Sequence, residues 1–361
     1  MQIPRDVLLG AQSAASSIPV CDHYCGVELR MRKSLALQAA MSEEFGTCPF
    51  DVTLDCEDGA PIGGEYDHAQ MVADLARDHL SKAAVDPSRC RPRVAVRVHP
   101  VDHPAFEQDV ATIVGTAAES LCHIMIPKLE SLAALERAVQ LIDLMATRSA
   151  RQSPLPLHVL IESPAAVHLA FSIAAHGRVQ SLSFGLMDFV SAHGGAIPAA
   201  AMGLGQGRGD DELSQFSHPL VLRAKLEIAA ACHAHGKVPS HCVVTEFTDV
   251  TKLRAAARKA SRALGFTRMW SIHPAQIRPI LEAFAPEPGE IEQATRILVA
   301  AQGADWAPIS DRGVLQDRAS YRYFWHLLER AQQTGTTLPN EAKAFFRLPA
   351  EPALGAWHKI R

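Results

Sequence analysis

Short apolar runs alternate along the chain with longer stretches in which apolar residues recur at helical spacing. Eight of the short runs are rich in β-branched residues and are bounded by Gly, Pro, Asp or Ser, which predicts buried strands. The predicted strands are residues 18–23, 50–54, 94–98, 123–127, 157–161, 181–184, 237–243 and 269–272. Eight buried strands, each followed by a helix, favour a parallel (β/α)8 TIM barrel over an open doubly wound sheet.

The longer stretches are rich in Ala, Leu, Glu and Arg and predict helices. The clearest of them are residues 131–145, 164–175, 219–235 and 249–264. Thr248 or Asp249 is placed to cap the last of these, and Gly265 lies just past its end. After residue 272 we expect one helix, a proline-interrupted segment at 284–289 and a second helix to about 303. We therefore assign residues 1–303 to a barrel domain with its N-terminal lead-in and 304–361 to a C-terminal helical extension.

Composition narrows the class of protein. The 361 residues carry a formal net charge of −4 and are 48% hydrophobic, as in an average soluble globular protein. There is no Lys/Arg-rich block and no apolar run of the ~18 residues that a membrane span needs, so we expect no nucleic-acid or membrane partner. Eight scattered cysteines without a C-x-x-C pair, and no secretory segment, predict free thiols in a reducing cytoplasm.

Polar residues follow most of the predicted strands at the point where each strand ends. In a closed barrel these ends meet at one rim, and barrel enzymes carry their active sites there. The residues concerned are Asp55, Glu57 and Asp58 after the second strand, Arg97 in the third, Lys128 after the fourth, Glu162 after the fifth, Asp188 after the sixth and His273 after the eighth. For a single residue a structural ion pair would be the better interpretation, but the whole set on one rim favours a functional site.

The residue types suggest a metal-assisted reaction on an acidic substrate. Glu162 and Asp188 come from neighbouring strands and are candidate ligands for Mg²⁺, which commonly takes one or two carboxylates and keeps several waters; Mn²⁺ suits the same ligands. The planar fork of Arg97 suits a substrate carboxylate. Lys128 can form a Schiff base or, as we favour, pair with a charge at the rim. His273 can be catalytic or can cap the following helix.

Six motifs resemble one enzyme family. They are LDCED at 54–58, RVH at 97–99, IPKLES at 126–131, LIESP at 160–164, FGLMD at 184–188 and SIHPAQI at 271–277. In this order, over roughly residues 51–302, they resemble the citrate lyase β-subunit/malyl-CoA lyase family of the HpcH/HpaI aldolase superfamily.

The resemblance implies a TIM barrel that forms homotrimers or homohexamers. It implies Mg²⁺ on Glu162 and Asp188 and a substrate carboxylate on Arg97. At the same predicted rim, Asp55, Lys128 and His273 are further candidate substrate contacts. The implied reaction is the reversible cleavage of a 3-hydroxyacyl thioester, such as malyl-CoA or citryl/citramalyl-CoA, to a 2-oxo acid and an acyl thioester.

The acid or base of this reaction is left open by the sequence. In several members of the family an Asp near the C-terminus, donated by the adjacent subunit, has that role, and Asp317 is the best match. An acidic group among Asp55, Glu57 and Asp58 is the alternative. Glu57 or Asp58 can instead orient Arg97 or a metal-bound water.

The sequence departs from the family at two places. Predicted strand seven reads PSHC at 239–242, where members often carry an Asp, and this puts the thioester specificity in doubt. A glycine-rich segment at 202–209 forms either a mobile loop over the site or an ordinary surface loop. Two rival functions follow: a class II pyruvate aldolase that acts on free 2-oxo acids, and a non-catalytic scaffold or regulatory relative.

Overall fold

The computed structural model describes residues 4–10, 18–84, 90–149, 151–205 and 213–346. Eight parallel strands pair in chain order, and the eighth pairs with the first, so the predicted barrel is confirmed. The strands are β1 Cys21–Cys25, β2 Phe50–Asp55, β3 Val94–Arg97, β4 Leu121–Ile126, β5 Leu157–Ile161, β6 Val179–Phe184, β7 Val238–His241 and β8 Arg268–Ser271. β1 begins three residues later than predicted, after Pro19, which has no amide hydrogen for a strand ladder.

Helices alternate with the strands. They are α1 Pro4–Leu9, α2 Glu28–Phe45, α3 Glu65–Ala84, α4 Phe106–Ala117, α5 Leu132–Ala146, α6 Pro164–His168, α7 Ala170–Ala175, α8 Leu186–Ser191, α9 Pro219–Ala234, α10 Val250–Leu264, α11 Pro274–Phe284, α12 Pro288–Gly303, α13 Arg318–Gln333 and α14 Asn340–Ala344. Asp249 caps α10 by accepting the Lys252 amide hydrogen at 3.0 Å, and Gly265 ends it in the left-handed conformation, as predicted. The predicted helix at 164–175 is interrupted at Leu169, which separates α6 from α7.

Strand β2 alternates between an apolar outer face and a polar inner face. In β2, Phe50, Val52 and Leu54 join the hydrophobic core that is shared with the surrounding helices. Asp51 and Thr53 alternate with them and therefore face the barrel interior. Thr53 Oγ1 donates a hydrogen bond to Asp22 Oδ1 of β1 across 2.7 Å. Other strands also place apolar residues on the face that carries their polar groups, and Tyr24, Met125, Leu160 and Trp270 form a small hydrophobic cluster separate from the main core.

The amino-terminal halves of the strands hold a buried ionic network, which we call the basal cluster: Asp22, Asp51, His123, His158 and Arg268. Every member has 0% exposure. Arg268 Nη2 lies 2.7 Å from Asp22 Oδ2 and 2.6 Å from Asp51 Oδ2. The His123 and His158 rings stack with their centroids 3.4 Å apart. Five strands are thus tied together through their inward-facing side chains.

The described residues form two compact units, Pro19–Phe284 and a second unit made of the residues up to Ile18 and those from Ala285 onward. The second unit has its own core, in which Leu8 of α1 and Leu298 of α12 join Trp325 and Leu328 of α13. Because α12 shares this core, the units divide before α12 and not at the predicted limit of 303/304. The second unit also contains two strands, whereas the sequence predicted a helical extension.

The difference is a hairpin in the second unit. Its strands are β9 Ile309–Asp311 and β10 Val314–Gln316, which pair antiparallel. They are joined by Arg312 and Gly313, both with positive φ, as a two-residue turn of this kind requires. All eight cysteines are free thiols, as predicted. Among the described residues, no helix is both long enough and apolar enough to cross a membrane.

Candidate active site at the carboxyl ends of the strands

Arg97, the last residue of β3, is held by three carboxylates. Asp55 forms a fork with it, with Nε–Oδ1 at 2.7 Å and Nη2–Oδ2 at 2.6 Å. Glu57 contacts Nη1 at 2.7 Å, and Asp58 contacts Nη2 at 2.7 Å. These contacts use four of the five N–H groups of a guanidinium, so one Nη1 hydrogen stays available. Glu57 and Asp58 thus both contact Arg97, and the role of either residue in the reaction stays a prediction.

Lys128 connects the arginine to the predicted metal ligands. Its backbone lies in the left-handed region with a φ of 48°, which is uncommon for a residue with a side chain. In this conformation its N–H donates to Glu162 Oε2 at 2.8 Å. The Lys128 Nζ lies 2.8 Å from Glu57 Oε1 and 3.9 Å from Asp188 Oδ1. One residue thus contacts three of the acidic groups at this rim.

The charge of Lys128 bears on its chemistry. Partial burial lowers the pKa of Lys128, but the hydrogen bond and charge of Glu57 outweigh burial, so the pKa is raised above its usual value. A Schiff-base lysine must react as the neutral amine. The structure therefore supports the charge-pairing alternative for Lys128.

Glu162 is almost fully enclosed, with 5% exposure, directly after β5. Burial raises its pKa to about 8, and the negative charges of Glu57 and Asp188 add to the effect. Gly185 leaves the space in which this carboxylate lies, because a Cβ at that position would come within 2.4 Å of Glu162 Cγ and 2.5 Å of Oε1. Asp188, in the first turn of α8, is about half exposed. Carboxylates that destabilise each other's charge fit a cation, and Mg²⁺ is commonly bound by one or two carboxylates together with waters.

Taken together, the residues at this rim carry an excess of negative charge. We call the following set the mouth cluster: Asp55, Glu57, Asp58, Arg97, Lys128, Glu162 and Asp188. Five carboxylates face only two cationic groups. Part of the set is open to solvent, since the side chain of Asp58 is 75% exposed and that of Lys128 is 44% exposed. The arrangement can bind a cation and an anionic substrate from solution.

Two predicted site residues have structural partners elsewhere. The His273 side chain is exposed, its Nδ1 accepts the Ala275 amide hydrogen at 3.2 Å, and its ring stacks on Phe247. This supports the helix-cap alternative for His273. Asp317 caps α13 of the second unit by accepting the Ala319 amide hydrogen at 2.9 Å. Its role as an acid or base donated to an adjacent subunit stays a prediction.

The sequence interpretation missed two groups of residues. The basal cluster is one: among the described residues, two tight sets of possible metal ligands lie there, Asp22–His123–His158 and, with the neighbouring Cys122, Asp51–Cys122–His123. Arg268 contacts both aspartates there, and Arg93 adds a second positive charge on Asp51, so the charge of the two carboxylates is balanced. The sequence did contain a signal for the basal cluster, namely the charged residues that alternate with apolar residues inside the predicted strands. The second group is His99 with Asp109; in the sequence, His99 stood out only as part of the RVH motif at 97–99. The glycine-rich segment at 202–209 lies partly outside the described residues.

Comparison with known proteins identifies the class to which this barrel and rim belong. Residues 34–274 match the HpcH/HpaI aldolase/citrate lyase family. The chain therefore belongs to that family, and the predicted class of carbon–carbon lyase is confirmed at this level.

Two curated relatives illustrate the similarity. The L-malyl-CoA/β-methylmalyl-CoA lyase of Cereibacter sphaeroides is 30% identical over 272 residues, which cover 73% of this chain and 81% of the relative. The citrate lyase subunit beta-like protein of Deinococcus radiodurans is 28% identical over 262 residues, which cover 72% of this chain and 80% of the relative. CoA-thioester lyases thus occur among the relatives.

Solved structures agree with the fold. A citrate lyase from Burkholderia xenovorans is 45% identical, with a TM-score of 0.75, and the match covers 96% of this chain and 99% of that chain. The Mycobacterium tuberculosis protein CitE, crystallised with magnesium, acetoacetate and coenzyme A, is 22% identical with a TM-score of 0.60, over 87% of this chain and 98% of that chain. At that identity the likeness supports the fold alone.

Proposed function

We propose that this protein is a Mg²⁺-dependent lyase that cleaves or forms a 3-hydroxyacyl thioester, such as malyl-CoA or citryl/citramalyl-CoA, with a 2-oxo acid and an acyl thioester as the other partners. The observation that carries the proposal is the uncompensated negative charge of the mouth cluster around Glu162, in a chain whose relatives include malyl-CoA lyases. Buried carboxylates that lack a counter-charge are rare unless a metal or a proton supplies it.

Each group of the mouth cluster then has a role. Glu162 and Asp188 would hold Mg²⁺, and Mn²⁺ would suit the same oxygens. The bound ion would supply Lewis-acid stabilisation of the negative charge that develops on the 2-oxo acid oxygens. The remaining Nη1 hydrogen of Arg97 and the Lys128 ammonium would hold the substrate carboxylate. Asp58 is the exposed partner of Arg97 and the carboxylate that a substrate would displace most easily.

The binding of small acids tests this function most directly. We would titrate glyoxylate, oxaloacetate and pyruvate into the protein by calorimetry, with and without Mg²⁺. The same titrations on Glu162→Gln remove one ligand charge and keep the side-chain shape. Glu107→Gln, an exposed position on α4, is the matched control.

Binding of one acid that needs Mg²⁺, survives in Glu107→Gln and is lost in Glu162→Gln would support the metal site and identify half of the substrate. If the folded protein binds neither metal nor acid, the metal-site assignment fails and the scaffold interpretation gains. Cleavage of L-malyl-CoA, compared with its hydrolysed free acid, separates a thioester lyase from an aldolase that acts on free 2-oxo acids. Light scattering on the same sample tests the predicted homotrimer or homohexamer.

A further inference from the structure

An aromatic pair lies inside the barrel beside the arginine of the mouth cluster. Tyr24 of β1 and Trp270 of β8 stack with their ring centroids 4.3 Å apart and 20° between the ring planes. The guanidinium carbon of Arg97 lies over the Tyr24 ring, 5.7 Å from its centroid. This distance is within the range of about 6 Å over which a cation is attracted to an aromatic face. Tyr24 therefore interacts with both Trp270 and Arg97.

The contact between Tyr24 and Arg97 is shielded from water. Tyr24 is 7% exposed, and Trp270 and Arg97 are each 8% exposed. Met125, which pairs with Arg97 in the sheet, belongs to the same hydrophobic cluster as the two rings. Attraction between a cation and a ring is stronger when both are desolvated. The surroundings thus favour a strong interaction between this ring and this guanidinium.

Both partners keep the charge state that the interaction needs. Burial raises the pKa of Tyr24 well above its usual value, and the negative charge of Asp22 adds to the effect, so the ring carries a neutral hydroxyl group. Burial opposes the charge of Arg97, but the charges and hydrogen bonds of its carboxylate partners, Asp55 first, outweigh burial and raise the pKa of Arg97. The contact is therefore between a neutral ring and a permanent cation.

The ring differs from the other partners of Arg97 in one respect. Asp55, Glu57 and Asp58 are hydrogen-bond acceptors, and a substrate carboxylate is an acceptor of the same kind that can take the place of one of them. An aromatic ring attracts the cation through its π face and is not replaced by a carboxylate. Tyr24 can therefore hold the guanidinium in place while the acceptors around it change.

We propose that Tyr24, supported by Trp270, is a positioning residue that holds Arg97 where it binds the carboxylate of the 2-oxo acid; this inference rests on the proposed lyase function. The contact between ring and cation is the same before and after the carbon–carbon bond breaks. It therefore favours the bound substrate and the transition state equally, and such an interaction acts on KM and leaves kcat unchanged.

The alternative is that the two rings only fill the barrel. A ring that fills space is insensitive to its own electron density, whereas a ring that attracts a cation is not. Tyr24→Phe keeps the ring and removes a hydroxyl group that has no hydrogen-bond partner among the described residues. Trifluorophenylalanine at the same position nearly keeps the shape of phenylalanine and withdraws electrons from the ring face.

The test compares these two proteins with the wild type and with Tyr24→Leu, which removes the ring. Each is titrated by calorimetry, in the presence of Mg²⁺, with glyoxylate, oxaloacetate and pyruvate, and kcat and KM are measured for L-malyl-CoA cleavage. Phe284→Leu removes a buried ring from the main core and is the matched control for loss of packing.

We expect Tyr24→Leu to bind the preferred acid about 3- to 30-fold more weakly, with KM raised to match and kcat within about threefold of the wild type. Tyr24→Phe should recover most of this loss. The fluorinated ring should bind the acid at least about threefold more weakly than Tyr24→Phe. Phe284→Leu should lower the free energy of unfolding but leave the affinity for the acid unchanged.

The outcomes separate the two proposals. If the fluorinated protein binds the acid as tightly as Tyr24→Phe, the ring only fills space, and the inference is wrong while the lyase function stands. If Tyr24→Phe loses as much affinity as Tyr24→Leu, the hydroxyl group acts and the inference is also wrong. If the wild type neither binds an acid with Mg²⁺ nor cleaves the thioester, the lyase function fails, and the role of Tyr24 fails with it. If Tyr24→Leu does not fold, the fluorinated protein decides, because its shape is kept.

Discussion

The barrel holds two ionic networks, one at each end of its strands, and they differ in charge balance. The basal cluster sets Asp22 and Asp51 against Arg268, and Arg93 adds a second cation on Asp51. It is closed to solvent. The mouth cluster sets five carboxylates against Arg97 and Lys128, and it is partly exposed. The first network has the charges it needs, whereas the second lacks positive charge.

This difference shows what distinguishes a structural network from a functional one. The basal cluster has the residues that a search for metal ligands would select, two histidines with aspartates, and yet its carboxylates are neutralised by arginines. The mouth cluster has no histidine among its proposed ligands but carries carboxylates whose charge Arg97 and Lys128 do not balance. Charge balance and exposure together identify the site, and the density of ionisable groups alone does not.

The largest effect on stability should come from the basal cluster. Arg268→Met would leave Asp22 buried without its counter-charge, and we expect the free energy of unfolding to fall by about 3–5 kcal/mol. Denaturant unfolding measures this directly. The control is Arg254→Met, which removes an exposed ion pair to Glu282 and should cost less than about 1 kcal/mol. Equal losses in the two variants would show that burial of the cluster does not matter.

Substitution of a carboxylate in the mouth cluster should not lower the free energy of unfolding. Glu162→Gln removes a buried carboxyl group whose ionisation is opposed by burial and by its neighbours, so the free energy of unfolding without Mg²⁺ should stay unchanged or rise. Metal-dependent cleavage should fall roughly 10³-fold, since the ion supplies several kcal/mol to the transition state. Unfolding curves and turnover on the same sample test both parts. A destabilised variant would mean that Glu162 is a structural group like those of the basal cluster.

Filling the space at Gly185 should have a smaller effect, which is on Mg²⁺ affinity. Gly185→Ala would place a Cβ against the Glu162 side chain and displace its carboxylate. We expect Mg²⁺ affinity to fall by about 10- to 100-fold, as for other changes beside a metal ligand. Gly177→Ala is the control, because a Cβ there would meet no atom within 4 Å. Calorimetry with Mg²⁺ alone measures the change, and unaltered affinity in Gly185→Ala would disprove the positioning of Glu162 by this glycine.

The smallest effect is the pH dependence contributed by the basal cluster. Burial, together with the charge of Arg268, lowers the pKa of His158 to about 3, so His158 stays neutral in the fold and gains a proton on unfolding below about pH 6.5. The unfolded state then binds more protons, and stability falls as the pH falls. Between pH 7 and 5.5 this loss is about 1 kcal/mol for one histidine.

His158→Gln should remove that part of the loss. The buried His123, whose pKa is also lowered, keeps a dependence of the same sign, so the slope should decrease without disappearing. Unfolding measured at the two pH values gives the slope. An identical slope in variant and wild type would show that His158 titrates alike in both states.

The fold and most of the mouth cluster could be predicted from the sequence. Glu162, Arg97 and Asp188 lie where parallel strands end, and closure of the barrel brings strand ends together whatever the loops do. Asp51 and Arg268 lie inside strands, where the contacts of a side chain depend on register between strands that are distant in sequence. That register is a property of the packed barrel and could not be derived from local pattern.

Dependence on tertiary structure also explains why the contact between His99 and Asp109 was not predicted. His99 and Asp109 are ten residues apart, and the turn between β3 and α4 brings them into contact. Turn geometry of this kind has no simple sequence rule. The sequence did show that His99 follows Arg97 at a strand end, which was the one available signal.

The second unit is discontinuous in the chain, and this has a consequence for synthesis. α1 precedes the barrel and α13 follows it, yet Leu8 of α1 shares a core with Leu328 of α13. During translation, α1 leaves the ribosome before Pro19–Phe284 is synthesised. The barrel strands can pair during that interval, whereas the apolar face of α1 gains its partners only after α12 and α13 have been made. The second unit can therefore assemble only after the ribosome has translated the barrel and α13.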